Sequence, residues 1–380
     1  MQYLRRLMAL LLCILLCIPT LASSAALLPD AEANLVLTGD IMCLAGQLSA
    51  AKVNGGWDFD YAFSGISPIL QGADFAIGNL EVPLAGADRG VTAYHQEGDP
   101  ILNAPDEFAD AVAAAGFDMV VTANNHAFDM GDTGRERTLQ QLDLRGIYHS
   151  GTYASSYMQC NTPIIEINGI SVAILSYTQF VNTGTDAYKK SGQLYKMNLL
   201  DLAQIQQDIA DAKKRHAEFV LLYVHWGSEN TNTPNAYQLE MAQQLADLGA
   251  DAIIGSHAHA IQPTEYLTAA DGRKVFCIYS MGNFISSMPR EINQDALLLN
   301  LLLVRTKGKV SLEQVSYMCV TGGTREGKQF AALPSRLTLQ ANHQVSKMQA
   351  SIQRINAILA SVITEETCFS YADYGDFYGE

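Results

Sequence analysis

The stretch Ala252-Ile253-Ile254-Gly255-Ser256-His257-Ala258-His259 passes at once from purely apolar side chains to glycine, serine and two histidines. An apolar run this short, without polar alternation, reads as a strand buried on both faces. The same abrupt change recurs along the chain. Leu35-Val36-Leu37 stops at Thr38-Gly39-Asp40, Phe75-Ala76-Ile77 at Gly78-Asn79-Leu80-Glu81, and Met119-Val120-Val121 at Thr122-Ala123-Asn124-Asn125-His126. Phe219 to Val224 stops at His225-Trp226-Gly227, and Val275 to Ile278 at Tyr279-Ser280-Met281-Gly282-Asn283. Helical patterns at Glu107 to Ala115, Leu199 to Ala217 and Tyr237 to Leu248 fall between these runs, giving the alternation of an α/β fold. Ligands of open α/β sheets bind beyond the carboxyl ends of the strands, and the polar clusters occupy that edge.

A second phrase, Gly-x-Asp, precedes three strands: Gly72-Ala73-Asp74, Gly116-Phe117-Asp118 and Gly249-Ala250-Asp251. Glycine there is expected to take the left-handed conformation that closes a helix. Ala296 to Val304 and Val310 to Val320, joined by a Lys-Gly-Lys turn, predict a late antiparallel hairpin. Val345, Met348, Ile352, Ile355, Leu359 and Ile363 recur at helical spacing and predict one amphipathic helix, packed on the domain or on a partner. The expected organisation is a main domain over residues 30–325, a linker and this helix over 326–364, and an acidic, aromatic tail over 365–380.

Residues 1–26 read separately. Arg5 and Arg6, an apolar run from Leu7 to Ile18, and the small residues Ala22 to Ala26 make a secretory signal, with an uncleaved membrane anchor as the rival. Either places the protein outside the cytoplasm. Cys13 and Cys17 each follow leucine, which argues against lipid attachment. Cys43, Cys160, Cys277, Cys319 and Cys368 form no metal-binding CxxC pattern and read chiefly as core residues, with room for one disulfide. A formal charge of −15 argues against nucleic acid as the partner.

His126, His225, His257 and His259 all fall directly after expected strands. Imidazoles together with the carboxylates of Asp40 and Glu81 and the amide oxygen of Asn125 make a donor set for zinc, manganese or iron, as one or two ions. A bound divalent cation would bring the pKa of a water toward neutral and make it a nucleophile. His126, oriented by Asp129, is then free to protonate a leaving group. Taken singly each residue has a plainer reading: Asp40 as a helix cap, Glu81 as a solvated loop charge, Asn124-Asn125 as a turn, a lone histidine as a hydrogen-bonded structural residue. Their joint placement at one edge favours the metal centre. His95, His149, His216 and His343 lack partners at ligand spacing and read as surface or loop residues. Trp226 and Phe284 read as wall packing. Ser280 lacks the Gly-x-Ser-x-Gly elbow of a serine hydrolase.

The phrases Gly39-Asp40-Ile41-Met42, Asn79-Leu80-Glu81, Asn124-Asn125-His126 with Asp129 and Gly131, His225-Trp226-Gly227 with Glu229, Gly255-Ser256-His257-Ala258-His259, and Tyr279 to Phe284 occur in an order that resembles the CapA, or poly-γ-glutamate capsule synthesis, family. That family is similar to the calcineurin-like metallophosphoesterases. The resemblance implies a four-layer α/β/β/α sandwich, with Asp40, Glu81, Asn125, His225, His257 and His259 as metal ligands and His126 as general acid. Asn79, Asn124, Glu229 and Asn283, from the same phrases, are expected on the substrate side. Met42 stands where ordinary metallophosphoesterases have a histidine ligand, and Glu81 where they have a bridging aspartate. The function implied is metal-dependent hydrolysis, of a phosphoester or an amide, in the synthesis, release or anchoring of an anionic surface polymer such as poly-γ-glutamate. The competing reading is a non-catalytic export or assembly component that docks through its late helix on a membrane-bound synthesis complex.

Overall fold

Each apolar run singled out in the sequence forms a strand, and the strands make two sheets. The computed structural model describes residues 28–92, 100–340, 344–359, 362–366 and 369–370. The expected export segment, most of the tail, and His95, His343, Cys13, Cys17 and Cys368 lie outside the described residues. The strands of the two sheets are β1 (Ala31–Ile41), β2 (Phe75–Leu80), β3 (Met119–Val121), β4 (Tyr148–Ser150), β5 (Ile164–Ile167), β6 (Ile170–Thr178), β7 (Phe219–His225), β8 (Ala252–Ser256), β9 (Thr264–Thr268), β10 (Lys274–Ile278), β11 (Asn283–Ile285), β12 (Asp295–Thr306), β13 (Lys309–Arg325), β14 (Lys328–Pro334) and β15 (Thr364–Glu365). The first sheet runs β14-β13-β12-β1-β2-β3-β4, with β11 on β1 and β15 on β13; the second runs β9-β10-β8-β7-β6-β5.

Alternate side chains serve different layers, as the two-residue period of a strand requires. On β7, Phe219, Leu221 and Tyr223 meet Leu35, Leu37 and Ile77 of the first sheet. Val220, Leu222 and Val224 face outward beneath α3 (Leu202–Lys214) and α4 (Ala236–Leu248). Val36 and Ala76 point the other way, toward α1 (Asp106–Ala115) and α2 (Gly131–Leu144). Helix, sheet, sheet, helix is therefore the layer order, the four-layer sandwich expected.

Several details differ from the sequence reading. α3 begins at Leu202, not Leu199, because the Asp201 side chain accepts from Gln204 N–H at 3.0 Å and caps the helix there. The β5–β6 hairpin went unread, although its turn, Asn168-Gly169 with φ of 47° and 81°, is the commonest two-residue hairpin signal. His149 sits buried on edge strand β4, 3.2 Å from Asp143, and not in a surface loop. Gly116 and Gly249 close their helices in the left-handed conformation, but Gly72 does not: the helix Ser67–Gly72 passes directly into extended Ala73.

The aspartate proves to be the constant part of that phrase. Asp74, Asp118 and Asp251 each donate a backbone N–H to the carbonyl of one residue on the neighbouring strand (Asn34, Ala76 and Val220, at 3.1, 3.0 and 2.9 Å). Each also accepts the N–H of that same residue on Oδ2 at 2.8 Å. This is a two-point clamp that sets register where the parallel strands begin.

The late hairpin forms and gains a third strand, β14, inside the stretch read as linker. β14 pairs only with Val320–Arg325 and leaves the rest of β13 with an open edge. α5 (Val345–Leu359), which does not include the Ile363 of the expected helix, and β15 lie along it, with Met348 in the outer core and Ile355 and Leu359 in the core between the sheets. Arg354 holds Asp295 through Nε and Nη2, both at 2.7 Å. The apolar face of the helix is thus spent on its own sheet. Among the described residues no helix is long and apolar enough to cross a membrane.

Candidate metal centre

The two sheets present their polar strand ends to one another. The first sheet supplies Asp40 at the end of β1, Glu81 directly after β2, and Asn125-His126 after β3. The second supplies His225 as the last residue of β7 and His257 and His259 after β8. All seven are buried. Ligand atoms of Asp40, Glu81 and His225 lie within 4.8 Å of one another, and so do those of Glu81, His257 and His259. Glu81 is common to both groups.

Glycine makes the approach of the sheets possible. A Cβ on Gly39 would collide with the Gly282 carbonyl, and one on Gly255 with the Tyr279 carbonyl. The segment Tyr279–Gly282 therefore passes Gly39 of β1 and Gly255 of β8 at backbone contact, with Asp40 N–H donating to Gly282 O and Met281 N–H to Gly255 O, both at 3.0 Å. His257 and His259 adopt left-handed φ of 85° and 53°. Such a conformation is strained for a histidine and is kept where the surroundings impose it.

Each side chain is held from behind. Ser256 Oγ lies 2.9 Å from His225 Nδ1 and fixes the ring so that Nε2 faces the centre, 2.8 Å from Asn125 Oδ1. Asn79 Nδ2 donates to Asp40 Oδ1 at 2.8 Å, and Asn124 Nδ2 to Leu80 O at 2.8 Å. Asn283 Oδ1 stands 2.9 Å from His259 Nδ1. The structure thus places Asn79, Asn124 and Asn283 buried beside the candidate ligands, with Asn79 and Asn283 bonded to Asp40 and His259 and Asn124 to the Leu80 carbonyl next to Glu81. Glu229 alone of that set is exposed. His126 Nδ1 sits 2.6 Å from Asp129 Oδ2, whose position is fixed by Leu102 N–H at 2.8 Å. Met42 is turned into the outer core, while Trp226 and Phe284 pack the walls, Trp226 donating to Tyr279 O. Cys43, Cys277 and Cys319 are buried and free, and Cys160 is exposed and free.

Sequence reasoning passed over Gln179, Phe180 and Asn182, which follow the unread strand β6. Phe180 packs on His257 with ring centres 4.8 Å apart, and Asn182 bonds Asn125.

The electrostatics fit a cation. Burial, followed by repulsion from Asp40, pushes the Glu81 carboxyl well above its ordinary range. Burial alone would raise Asp40 too, but its hydrogen bond and charge interaction with His259 hold it below the usual value. Burial takes His225 down to about 3 and His257 well below its ordinary value, so both stand as neutral imidazole, the ligand form. Both Glu81 carboxylate oxygens and His257 Nδ1 are buried without a hydrogen-bond partner. His225 Nε2 is 3.4 Å and His259 Nδ1 is 4.0 Å from Glu81, and neither forms a hydrogen bond with it. Buried polar atoms of this kind are rare and need an explanation. A divalent cation among imidazole and carboxylate donors supplies one.

The sequence is similar to those of known proteins. The chain is 28% identical over 340 residues to the capsule biosynthesis protein CapA of Bacillus anthracis, covering 83% of this chain and 80% of that one. It is 29% identical over 246 residues to the PGA biosynthesis protein CapA of Bacillus subtilis (strain 168), covering 63% of this chain and 60% of that one. A looser likeness, at 15% identity and a TM-score of 0.45, covers 87% of this chain and 98% of the calcineurin-like phosphoesterase YfkN from Bacillus subtilis. The family model for the bacterial capsule synthesis protein PGA_cap matches residues 34–288, from just before Asp40 to just past Asn283, and the chain belongs to that family.

Proposed function

We propose that this protein is an extracytoplasmic, metal-dependent hydrolase that acts on an anionic cell-surface polymer of the poly-γ-glutamate kind during its synthesis, release or anchoring. One observation carries the reading: Glu81 is buried with both oxygens unbonded, between two groups of ligand atoms that share it. Asp40, Glu81, Asn125, His225, His257 and His259 would hold one or two divalent cations. Such an ion, when bound, supplies an activated water and polarises the carbonyl or phosphoryl group under attack.

The remaining chemistry belongs to side chains of this chain. Asp129 holds His126 through Nδ1 and fixes the ring next to Asn125, so that a proton carried on Nε2 is the one His126 would give up. From there it can hand a proton to a departing oxygen or nitrogen, so phosphoester and amide substrates call on the same residues. Glu229, exposed and close enough to Glu81 and His259 to perturb both, stands where substrate approaches. The polymer class rests on the names of the two CapA relatives and on membership of the family. Action outside the cytoplasm rests on the export signal read in residues 1–26. A purely assembly role would use the late helix as a docking face, and that face is buried in the domain.

The test is metal analysis of the purified protein, followed by turnover of bis-p-nitrophenyl phosphate and of poly-γ-glutamate. His225→Ala should lose metal. His126→Ala should keep metal and lose about 10²- to 10⁴-fold in rate on whichever substrate the wild type cleaves. Metal retained with no turnover of either substrate would make the centre structural.

A further inference from the structure

The second sheet sends one more segment into the centre. Immediately after β6, Gln179 N–H donates to His225 O at 2.9 Å, and Gln179 Oε1 accepts Gly227 N–H at 3.1 Å. Phe180 lies against the His257 ring. Asn182 then grips Asn125 twice: its backbone N–H donates to Asn125 O at 3.1 Å, and its Oδ1 accepts from Asn125 Nδ2 at 3.1 Å. Its own Nδ2 is 3.2 Å from His126 Nδ1.

The second of those bonds decides which end of the Asn125 amide faces inward. With Nδ2 tied outward to Asn182, Oδ1 is left 2.8 Å from His225 Nε2, on the side of the ligand cluster. An asparagine amide turned over by half a rotation occupies nearly the same volume but points an NH₂ group where the oxygen was. That group repels a cation. Asn182 is itself exposed and fills no part of the core, so replacing it removes this contact without opening a cavity.

We infer that Asn182 is a positioning residue that sets the Asn125 amide oxygen toward the metal. The inference rests on the reading of the centre given above. It predicts that Asn182→Ala folds normally and weakens Mn²⁺ binding by about 10- to 100-fold, the usual cost of losing a group that orients a ligand. It further predicts that the loss disappears when residue 125 is aspartate, because a carboxylate presents oxygen whichever way it lies.

The experiment is titration of Mn²⁺ into four metal-stripped proteins: wild type, Asn182→Ala, Asn125→Asp and the double variant, each with a thermal melt to verify folding. A loss of tenfold or more in the wild-type background and less than twofold in the Asn125→Asp background supports the inference. Equal losses in both backgrounds, or no loss in either, overturn it alone and leave the centre standing. Wild type that binds no Mn²⁺ overturns the centre and this inference together.

Discussion

Glu81 is the residue at which stability and function part company. A buried carboxylate with no hydrogen bond, set beside the negative charge of Asp40, costs free energy in the metal-free fold. Glu81→Gln removes that charge with little change of shape. The metal-free variant should therefore melt at the same temperature as metal-free wild type or above it, while its Mn²⁺ affinity falls at least about 100-fold. Calorimetry on stripped protein and a metal titration check the two halves. His149 offers a test away from the centre. Burial lowers its pKa below 6.5, partly opposed by Asp143, so the unfolded chain takes up a proton below 6.5 that the fold refuses. Stability from this group is full above pH 6.5 and declines as pH falls through that value. His149→Phe should narrow the difference in melting temperature between pH 7.5 and 5.5, measured with metal in place; an unchanged difference would sink the idea. At this scale the sequence revealed which residues gather, because each histidine stands where an apolar run ends. It did not reveal which way they point. Asn79 and Asn283, expected on the substrate side, bond Asp40 and His259, contacts set by strands distant in sequence.

Among elements, the apolar runs were legible because a parallel strand covered on both faces tolerates little else. The β5–β6 hairpin was missed for a physical reason: Ile164–Ile167 alternates only weakly, and the turn at Asn168-Gly169 was the stronger signal. With β6 went the segment that reaches the centre at Phe180 and Asn182. The Gly-x-Asp phrase was noticed for its glycine, while its register clamp involves a strand more than thirty residues away that local reading does not supply. The clamp gives a stability prediction. Asp118→Ala leaves Ala76 N–H without its partner and should cost about 1 to 3 kcal/mol in urea unfolding. Asp118→Asn, which keeps an acceptor oxygen, should cost much less, and equal losses for both would argue that the clamp is not what Asp118 contributes.

Across the whole molecule the sheets are tied at both ends. At the end away from the centre Arg305, buried, bonds both carboxylate oxygens of Glu218 and the carbonyls of Gly169 and Pro29. At the other end the candidate ligands come from both sheets, so a bound ion would join them. Ion at a hundredfold excess over its dissociation constant should then raise stability by about 2.7 kcal/mol, and chelation should lower the melting temperature correspondingly. His225→Ala protein should show no such response. The pairing of β1 with β12, from Ala31 against Arg305 to Leu37 against Leu299, has a further consequence in time. The second sheet is assembled from one continuous stretch, residues 164–278, whereas the middle of the first joins two segments some 270 residues apart. Loop closure on that scale is slow, so the second sheet should acquire protection from hydrogen exchange first during refolding and the first sheet last. A chain emerging from the ribosome would hold half of its ligands in finished strands while Asp40 still waited for its neighbour.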